Sequence, residues 1–493
     1  MLRKDNNNVR GIALLMSIIM ASGVLASCST KRVDKDIKVR SGSNEDRSVA
    51  TVVAPEPVET EATPTPTPSP TPSPTPEVNT INVFYSSDIM RDICETYKVY
   101  HPDCSYDFTY TQIYNESSSY EQAVDQALVS GDSSAPDIFT VDCSYLYKYT
   151  NGDMSGYAVP YSNLGIDVDT MIEDAEIAPY TVDLGTRQFD DEVVALSYTS
   201  GACFMIYRTD IAEEVLGTSD PSEVASLMGA GTGKFDKLMN VADKMQKAGY
   251  FMTSSSQEFL RMILDSSDEE WIVDGEFNIK SSVDDYLDYL KEAYDNGYFS
   301  DQLITQWSEA WYADIKGKGD KEVFCFYGPS WLVNYIMNRE AGDLTYGMWN
   351  ICEAPVTSVW GGTYIVPSIY ATTGDYEKQE VIADLITWIT LDDSETGFQY
   401  LYANGYIGDG LAEAVPSNTV MSKSSFPVEF LGGQDPFEVY ITANEKVANS
   451  LYQEAFIYNV GFIGDKYLTG DDYDDLMEDL QSYGEVALES FEG

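Results

Sequence analysis

Hydrolytic, redox and metal chemistry need particular side chains at particular spacings, and this chain offers few of them. Its one histidine, His101, stands before Pro102, so a serine–histidine triad would hang on that residue alone, and no Gly-x-Ser-x-Gly turn is present. Gly229, Gly231, Gly233 and Lys234 invite a phosphate-loop reading. It fails on spacing, because the first glycine of the motif would fall at Met228 and Phe235 follows the lysine; the segment reads as a loop before a helix. Asp471, Asp472, Asp474 and Asp475 lack the glycine and spaced ligands of a calcium loop and suit the positive end of a helix instead. Beyond Cys28, six cysteines (Cys94, Cys104, Cys143, Cys203, Cys325 and Cys352) are spaced widely with no Cys-x-x-Cys, which supports neither a zinc nor a thioredoxin-like site. They can be buried thiols or, with Cys94 and Cys104 nearest, disulfides. No catalytic residue, metal or cofactor is expected.

What the chain has in abundance is 36 Tyr, 7 Trp and 81 Asp plus Glu. Flat rings stack on the apolar C–H faces of a polyhydroxylated ring, and carboxylates accept its hydroxyls. Most of these aromatics must be core, as for Trp388 inside an apolar helix and Tyr106, Phe108 and Tyr110 on one strand face. A few stand apart. Trp331 follows the turn fixed by Gly328 and Pro329, while Trp360 and Tyr364 flank Gly361 and Gly362, whose missing side chains let a ligand approach the backbone. Asp88 and Asp142 end strand-like segments, where they can bind hydroxyls or, alternatively, cap a helix and sit in a solvated loop. Trp307 and Trp311, four apart, would share one helical face, turned to core or to ligand; Tyr198 and Ser200 precede a long apolar strand.

The elements that position these residues alternate. Strands are expected over 81–85, 106–110 and 137–141, with a helix from Asp88 to about residue 100 and another over 119–130. This rhythm argues a parallel α/β sheet, whose ligand crevice lies beyond the carboxyl ends of its strands, here 86–88 and 142–144. An apolar strand over 202–207 follows, then helices over 211–216, 235–248, 256–264, 283–296 and 331–339. Strands return over 323–327 and 364–369, and helices over 376–390 and 471–489 close the chain. More than 400 ordered residues exceed one core, so two lobes are expected.

The order of several short segments resembles the bacterial extracellular solute-binding proteins of family 1, the carbohydrate type that serves ABC importers. They are 131–138 (Gly-Asp-Ser-Ser-Ala-Pro-Asp-Ile) entering the third strand, 202–210 (Ala-Cys-Phe-Met-Ile-Tyr-Arg-Thr-Asp) as the hinge-crossing strand, and 235–249 as a helix ending in Lys-x-x-Gly. Further on come 274–278 (Asp-Gly-Glu-Phe-Asn), 326–331 (Phe-Tyr-Gly-Pro-Ser-Trp) and 360–364 (Trp-Gly-Gly-Thr-Tyr). The resemblance implies an α/β, two-lobe periplasmic-binding-protein-like fold of type II with hinge-crossing strands. It divides the chain into lobe 1 at 80–200 and 352–415 and lobe 2 at 201–351 and 416–493. It also implies a carbohydrate ligand between the lobes, held by Trp331, Tyr364, Trp360, Asp142, Asp88, Trp311, Tyr198, Ser200, Gly361 and Gly362, with no covalent chemistry. The implied partners are ABC permease subunits, and the protein is expected to act as a monomer. A peptide or polyamine ligand, or a surface glycosidase or adhesin, are the competing readings.

The first 79 residues say where this happens. Arg3, Lys4 and Arg10 precede an apolar run over 12–25, and Leu25-Ala26-Ser27-Cys28 is similar to the lipobox of bacterial lipoproteins. Cleavage of 1–27 and a lipid on Cys28 would tie the protein to the outer face of the cell membrane. Residues 28–79 are polar and then alternate Thr or Ser with Pro from Thr63 to Pro76, a polyproline II tether of about 40 Å. Cleavage removes three of 29 basic and one of 81 acidic residues, leaving a formal charge of −54. Such a field repels phosphate backbones, so no nucleic-acid partner is expected. No later apolar run reaches 18 residues, so no further membrane span is expected.

Overall fold

The computed structural model describes residues 79–493 except 88, 115–118, 301, 374, 449–451 and 493. The export signal, Cys28, most of the tether and Asp88 lie outside the described residues.

Eight strands form two sheets. The first sheet holds β1 (Thr80–Tyr85), β2 (Asp107–Gln112), β3 (Ile138–Asp142), β4 (Leu196–Ser197) and β8 (Thr363–Pro367), in the order β2-β1-β3-β8-β4. The second holds β5 (Phe204–Arg208), β6 (Cys325–Gly328) and β7 (Trp349–Cys352), in the order β6-β5-β7. β1 pairs in parallel with β2 and β3, as the strand-helix alternation requires. The expectation of a wholly parallel sheet is corrected by β8, which runs antiparallel to β3 and β4. The reason lies in the pairing of Thr363 with Asp142. β8 enters the first sheet at the end where β3 leaves it, because the chain arrives straight from the second sheet without a crossover helix. The second sheet is antiparallel throughout. All five residues of β5 are buried, the continuous apolar pattern of a strand covered on both faces.

The chain leaves the first sheet after β4 and returns before β8, and the two passages are stitched together. Ala202 bridges Val359, the Cys203 amide donates to Ser358 O at 2.9 Å, and the Trp360 amide donates to Gly201 O at 2.8 Å. Gly201 permits this contact: a β-carbon there would lie 2.4 Å from Gly361 O. These are the hinge-crossing strands. The fold is therefore α/β with two lobes, each built on its own sheet.

Helices fall close to expectation at Ser119–Ser130, Asp236–Ala248, Ser282–Asp295 and Tyr376–Thr390. Others depart from it. The segment expected to be helical over 256–264 is helical only at Leu260–Leu264, because Ser254, Ser255 and Ser256 spend their hydroxyls on Asp314, Glu258 and Asp465. After Trp331 the chain forms a π-helix, Leu332–Met337, before one α-helical turn. The long helix Gln453–Thr469 was not foreseen: Gly461 and Gly464 lower its propensity, yet a β-carbon on Gly464 would lie 2.8 Å from Leu290 and 2.9 Å from Tyr286. Close packing against Ser282–Asp295 requires Gly464, and Gly461 faces Leu260 and Gln257. All six described cysteines are free, so the Cys94–Cys104 pairing does not form. Among the described residues no helix is long and apolar enough to cross a membrane.

Candidate ligand cleft

The site grows from the end of β3. Asp142 has extended backbone and caps the helix Cys143–Thr150, its Oδ1 accepting from the Ser144 amide at 3.0 Å and the Ser144 hydroxyl at 2.5 Å. The next amide, Cys143, donates to Gly362 O at 3.0 Å. Gly361 and Gly362 have φ of 75° and 112°, the left-handed region that favours glycine, and they turn the chain from the hinge into β8. A β-carbon on Gly361 would lie 3.4 Å from the Trp331 indole nitrogen and 4.0 Å from Asp142 Oδ2. The bare backbone of Gly361 thus lies between an indole that follows β6 of the second sheet and a carboxylate at the end of β3 of the first.

Three indoles gather at this point. Trp331 Nε1 donates to Trp360 O at 3.0 Å, and the two rings meet edge to face at 4.9 Å. Trp307 lies nearly parallel to Trp331 at 6.1 Å and edge-on to Trp360 at 5.9 Å. The Arg261 guanidinium sits 4.7 Å from the Trp360 ring centre, donates to Val359 O at 3.4 Å and pairs with Glu454. A buried guanidinium over an indole face is a strong cation–π geometry, and the Glu454 carboxylate neutralises it. Trp307 has φ of 70°, costly for a bulky side chain, so surrounding contacts must hold it. Trp307, Trp331, Gly361 and Asp142 are half-buried, whereas Trp360 is 6% exposed.

The remaining candidates are placed differently. Trp311 is fully buried and donates from Nε1 to Glu258 at 2.7 Å. Trp307 precedes the helix Glu309–Ile315, so the shared helical face expected for Trp307 and Trp311 does not exist; Trp311 packs behind Trp307 at 5.3 Å. Tyr364 and Tyr198 are also enclosed, at 1% and 0% exposure. The alternation of β8 turns Tyr364 into the core, and Tyr198 packs edge-on against Phe398. Ser200 shares a hydrogen bond with Tyr180 and donates to Asn444 Oδ1 at 2.7 Å, so it ties the hinge to the helix Phe437–Lys446. Tyr364, Tyr198, Ser200 and Trp311 are therefore enclosed and offer no open face to a ligand.

Two carboxyls near the indoles are held above the usual carboxylate range. Burial pushes Glu258 up to about 7, against hydrogen bonds such as that from Trp311 that pull it down. Burial does the same to Glu413, whose Oε2 accepts from Ser330, the residue before Trp331, at 3.2 Å. Among the described residues no group of three His, Cys, Asp or Glu is arranged to hold a metal ion. Sequence reasoning missed Arg261 and Glu413. Arg261 had a signal, a lone charge within Leu-Arg-Met-Ile-Leu at 260–264; Glu413, in a short run of small residues, had none.

No protein-family profile matches the chain, and no curated protein matches its sequence. Solved structures do match in shape. A crystal structure described as extracellular solute-binding protein family 1 aligns with a TM-score of 0.67 at 15% identity, covering 83% of this chain and all of that one. The galacto-N-biose/lacto-N-biose I-binding protein of the ABC transporter from Bifidobacterium longum, in complex with lacto-N-biose, aligns at 0.60 and 16% identity, covering 84% and 98%. The sugar-binding protein MalE from Xanthomonas citri aligns at 0.62 and 14%, covering 83% and 98%. At these identities the likeness establishes the two-lobe periplasmic-binding-protein-like fold.

Proposed function

We propose that this protein is a binding protein, without enzymatic activity, that captures a carbohydrate between its lobes and delivers it to an ABC importer. The observation that carries the reading is the cluster of Trp331, Trp307 and Trp360 facing Asp142 across the bare backbone of Gly361. Indole faces match the apolar faces of a sugar ring, and a carboxylate oxygen and exposed amides match its hydroxyls. The stitched hinge beneath them allows the lobes to swing as bodies, so a ligand touching both favours the closed form. Two of the matched structures are described as sugar-binding proteins, which supports the same ligand class.

The proposal extends to the rest of the chain. Residues 1–27 direct export, Cys28 carries a lipid, and the Pro-rich tether holds a monomeric receptor near its permease. Replacing Cys28 with Ser should then release the protein from the detergent phase to the aqueous phase without altering affinity.

A thermal-shift screen of the mature protein with maltose, lacto-N-biose, β-1,6-galactobiose and longer oligosaccharides tests the reading. Stabilisation without hydrolysis is expected. Saccharide turnover would make the protein a glycosidase, and shifts with only polyamines or peptides would replace the ligand class.

A further inference from the structure

Glu413 lies where the two lobes meet behind the Trp331 turn, and its surroundings are unusual. The side chain is 3% exposed and, among the described residues, has no ion-pair partner. Its Oε2 accepts from Ser330, and Oε1 has no hydrogen-bond partner. Asn334, on the adjoining π-helix, is 1% exposed; its amide nitrogen donates to Ala412 O at 2.8 Å, which leaves its Oδ1 without a partner too. Two buried acceptors on neighbouring segments thus lack a well-formed hydrogen bond. A proton on the carboxyl supplies a donor, whereas an ionised carboxylate at the same place has only the neutral groups of Ser330, Tyr335 and Asn334 to offset its burial.

The junction connects the Trp331 turn to the crossing segments. The Ala414 amide donates to Ser330 Oγ at 3.3 Å, and the Ser200 amide at the hinge donates to Ala414 O at 3.0 Å. The segment around Glu413 therefore binds the Trp331 turn on one side and the hinge on the other. The titratable groups facing Glu413 are the hydroxyls of Tyr335 from the π-helix, Tyr402 from Phe398–Ala403 and Tyr440 from Phe437–Lys446, with the Asp409 carboxylate beyond. Tyr335 and Tyr402 bond each other at 3.1 Å, the Tyr440 hydroxyl has no partner, and Asp409 is paired with Arg339. None of these supplies a positive charge to Glu413.

We propose that Glu413 is a proton-operated lock: protonated, it clamps the Trp331 turn to the hinge in the geometry that receives ligand, and ionised, it lets the turn loosen. The affinity consequence rests on the carbohydrate reading above; the loosening does not. Burial places the carboxyl near 7, so the clamp is closed in mildly acidic medium and opens as pH rises through neutrality.

The test is hydrogen–deuterium exchange of the mature protein, read on peptides covering 328–337 and 410–417 at pH 6 and pH 8.5 after correction for intrinsic rates. In the wild type, exchange there should accelerate by up to about tenfold, the factor by which the ionised fraction of a group near 7 rises over that interval. Glu413→Gln, which keeps the shape and cannot ionise, should exchange slowly at both pH values, as should Glu413→Leu if the glutamine variant folds poorly. Titration with whichever of maltose, lacto-N-biose or β-1,6-galactobiose binds should show Kd weakening with pH only in the wild type. Identical exchange in wild type and both variants at both pH values overturns the proposal. If no saccharide binds but exchange behaves as described, the lock stands and the carbohydrate reading alone falls.

Discussion

We propose two duties for Asp142 that substitution can separate. Its carboxylate caps the helix Cys143–Thr150 through Ser144 and also lies beside Gly361, where the proposed ligand would sit. Asparagine caps as well as aspartate does, so Asp142→Asn should melt as the wild type but bind its sugar about tenfold more weakly, having lost a charged acceptor. Asp142→Ala should lose both, with about 1 kcal/mol of stability gone with the cap. Melting curves and calorimetry on the two variants check this, and equal affinity in Asp142→Asn would assign the residue to capping alone. At this scale the sequence was informative where glycine restricts the backbone: Gly361, Gly362 and the turn before Trp331 all mark the place where the indoles gather. It left Trp307 open between core and ligand, marked Arg261 only as a lone charge in an apolar run, and was silent on Glu413, because their surroundings come from neighbours more than forty positions away along the chain, such as Trp360, Glu454 and Ser330.

The crossing segments are the elements on which both lobes depend. Gly201→Ala pushes a methyl group to 2.4 Å from Gly361 O, a backbone atom fixed in the facing passage, so one strand must move. The expected cost is about 1–3 kcal/mol, typical of forced overpacking, read as a lower melting temperature; an unchanged melting temperature would show the crossing to be slack. Strands and helices with plain periodicity were legible to within a few residues, as at Ser119–Ser130 and Tyr376–Thr390. Departures have local causes. Serine hydroxyls claimed by the carboxylates of Glu258 and Asp465 stop a helix at 256–259, and glycines in close contact with neighbouring side chains disguise Gln453–Thr469. The antiparallel β8 could not be read from periodicity, because direction depends on where the chain re-enters the sheet.

For the molecule as a whole, acidity governs stability. Burial pushes Glu258, Asp265 and Glu413 up to about 7 from ordinary values of 4.5, 3.8 and 4.5. Between those ordinary values and 7 the folded state holds protons that the unfolded chain has released. Their contribution is therefore fully present below pH 4 and is lost as pH rises through 7. A net charge of −52 acts in the same direction, since self-repulsion grows as carboxyls ionise. Carboxyls held low by hydrogen bonds, such as Asp220 and Asp375, lose their contribution only below their ordinary value of 3.8 and do not oppose this trend at higher pH. The melting temperature should consequently fall from pH 5 to pH 8, and a rise over that interval would mean that these three carboxyls are already ionised in the folded protein.

The claim that the indole cluster holds sugar rings is tested most directly by calorimetric titration of wild type and Trp331→Ala with the oligosaccharide that stabilises the wild type best. Removing a ring that buries its face against the ligand should cost about 2 kcal/mol, or roughly thirtyfold in Kd, with the melting temperature of the free protein little changed. Equal affinity in the two proteins would contradict the account.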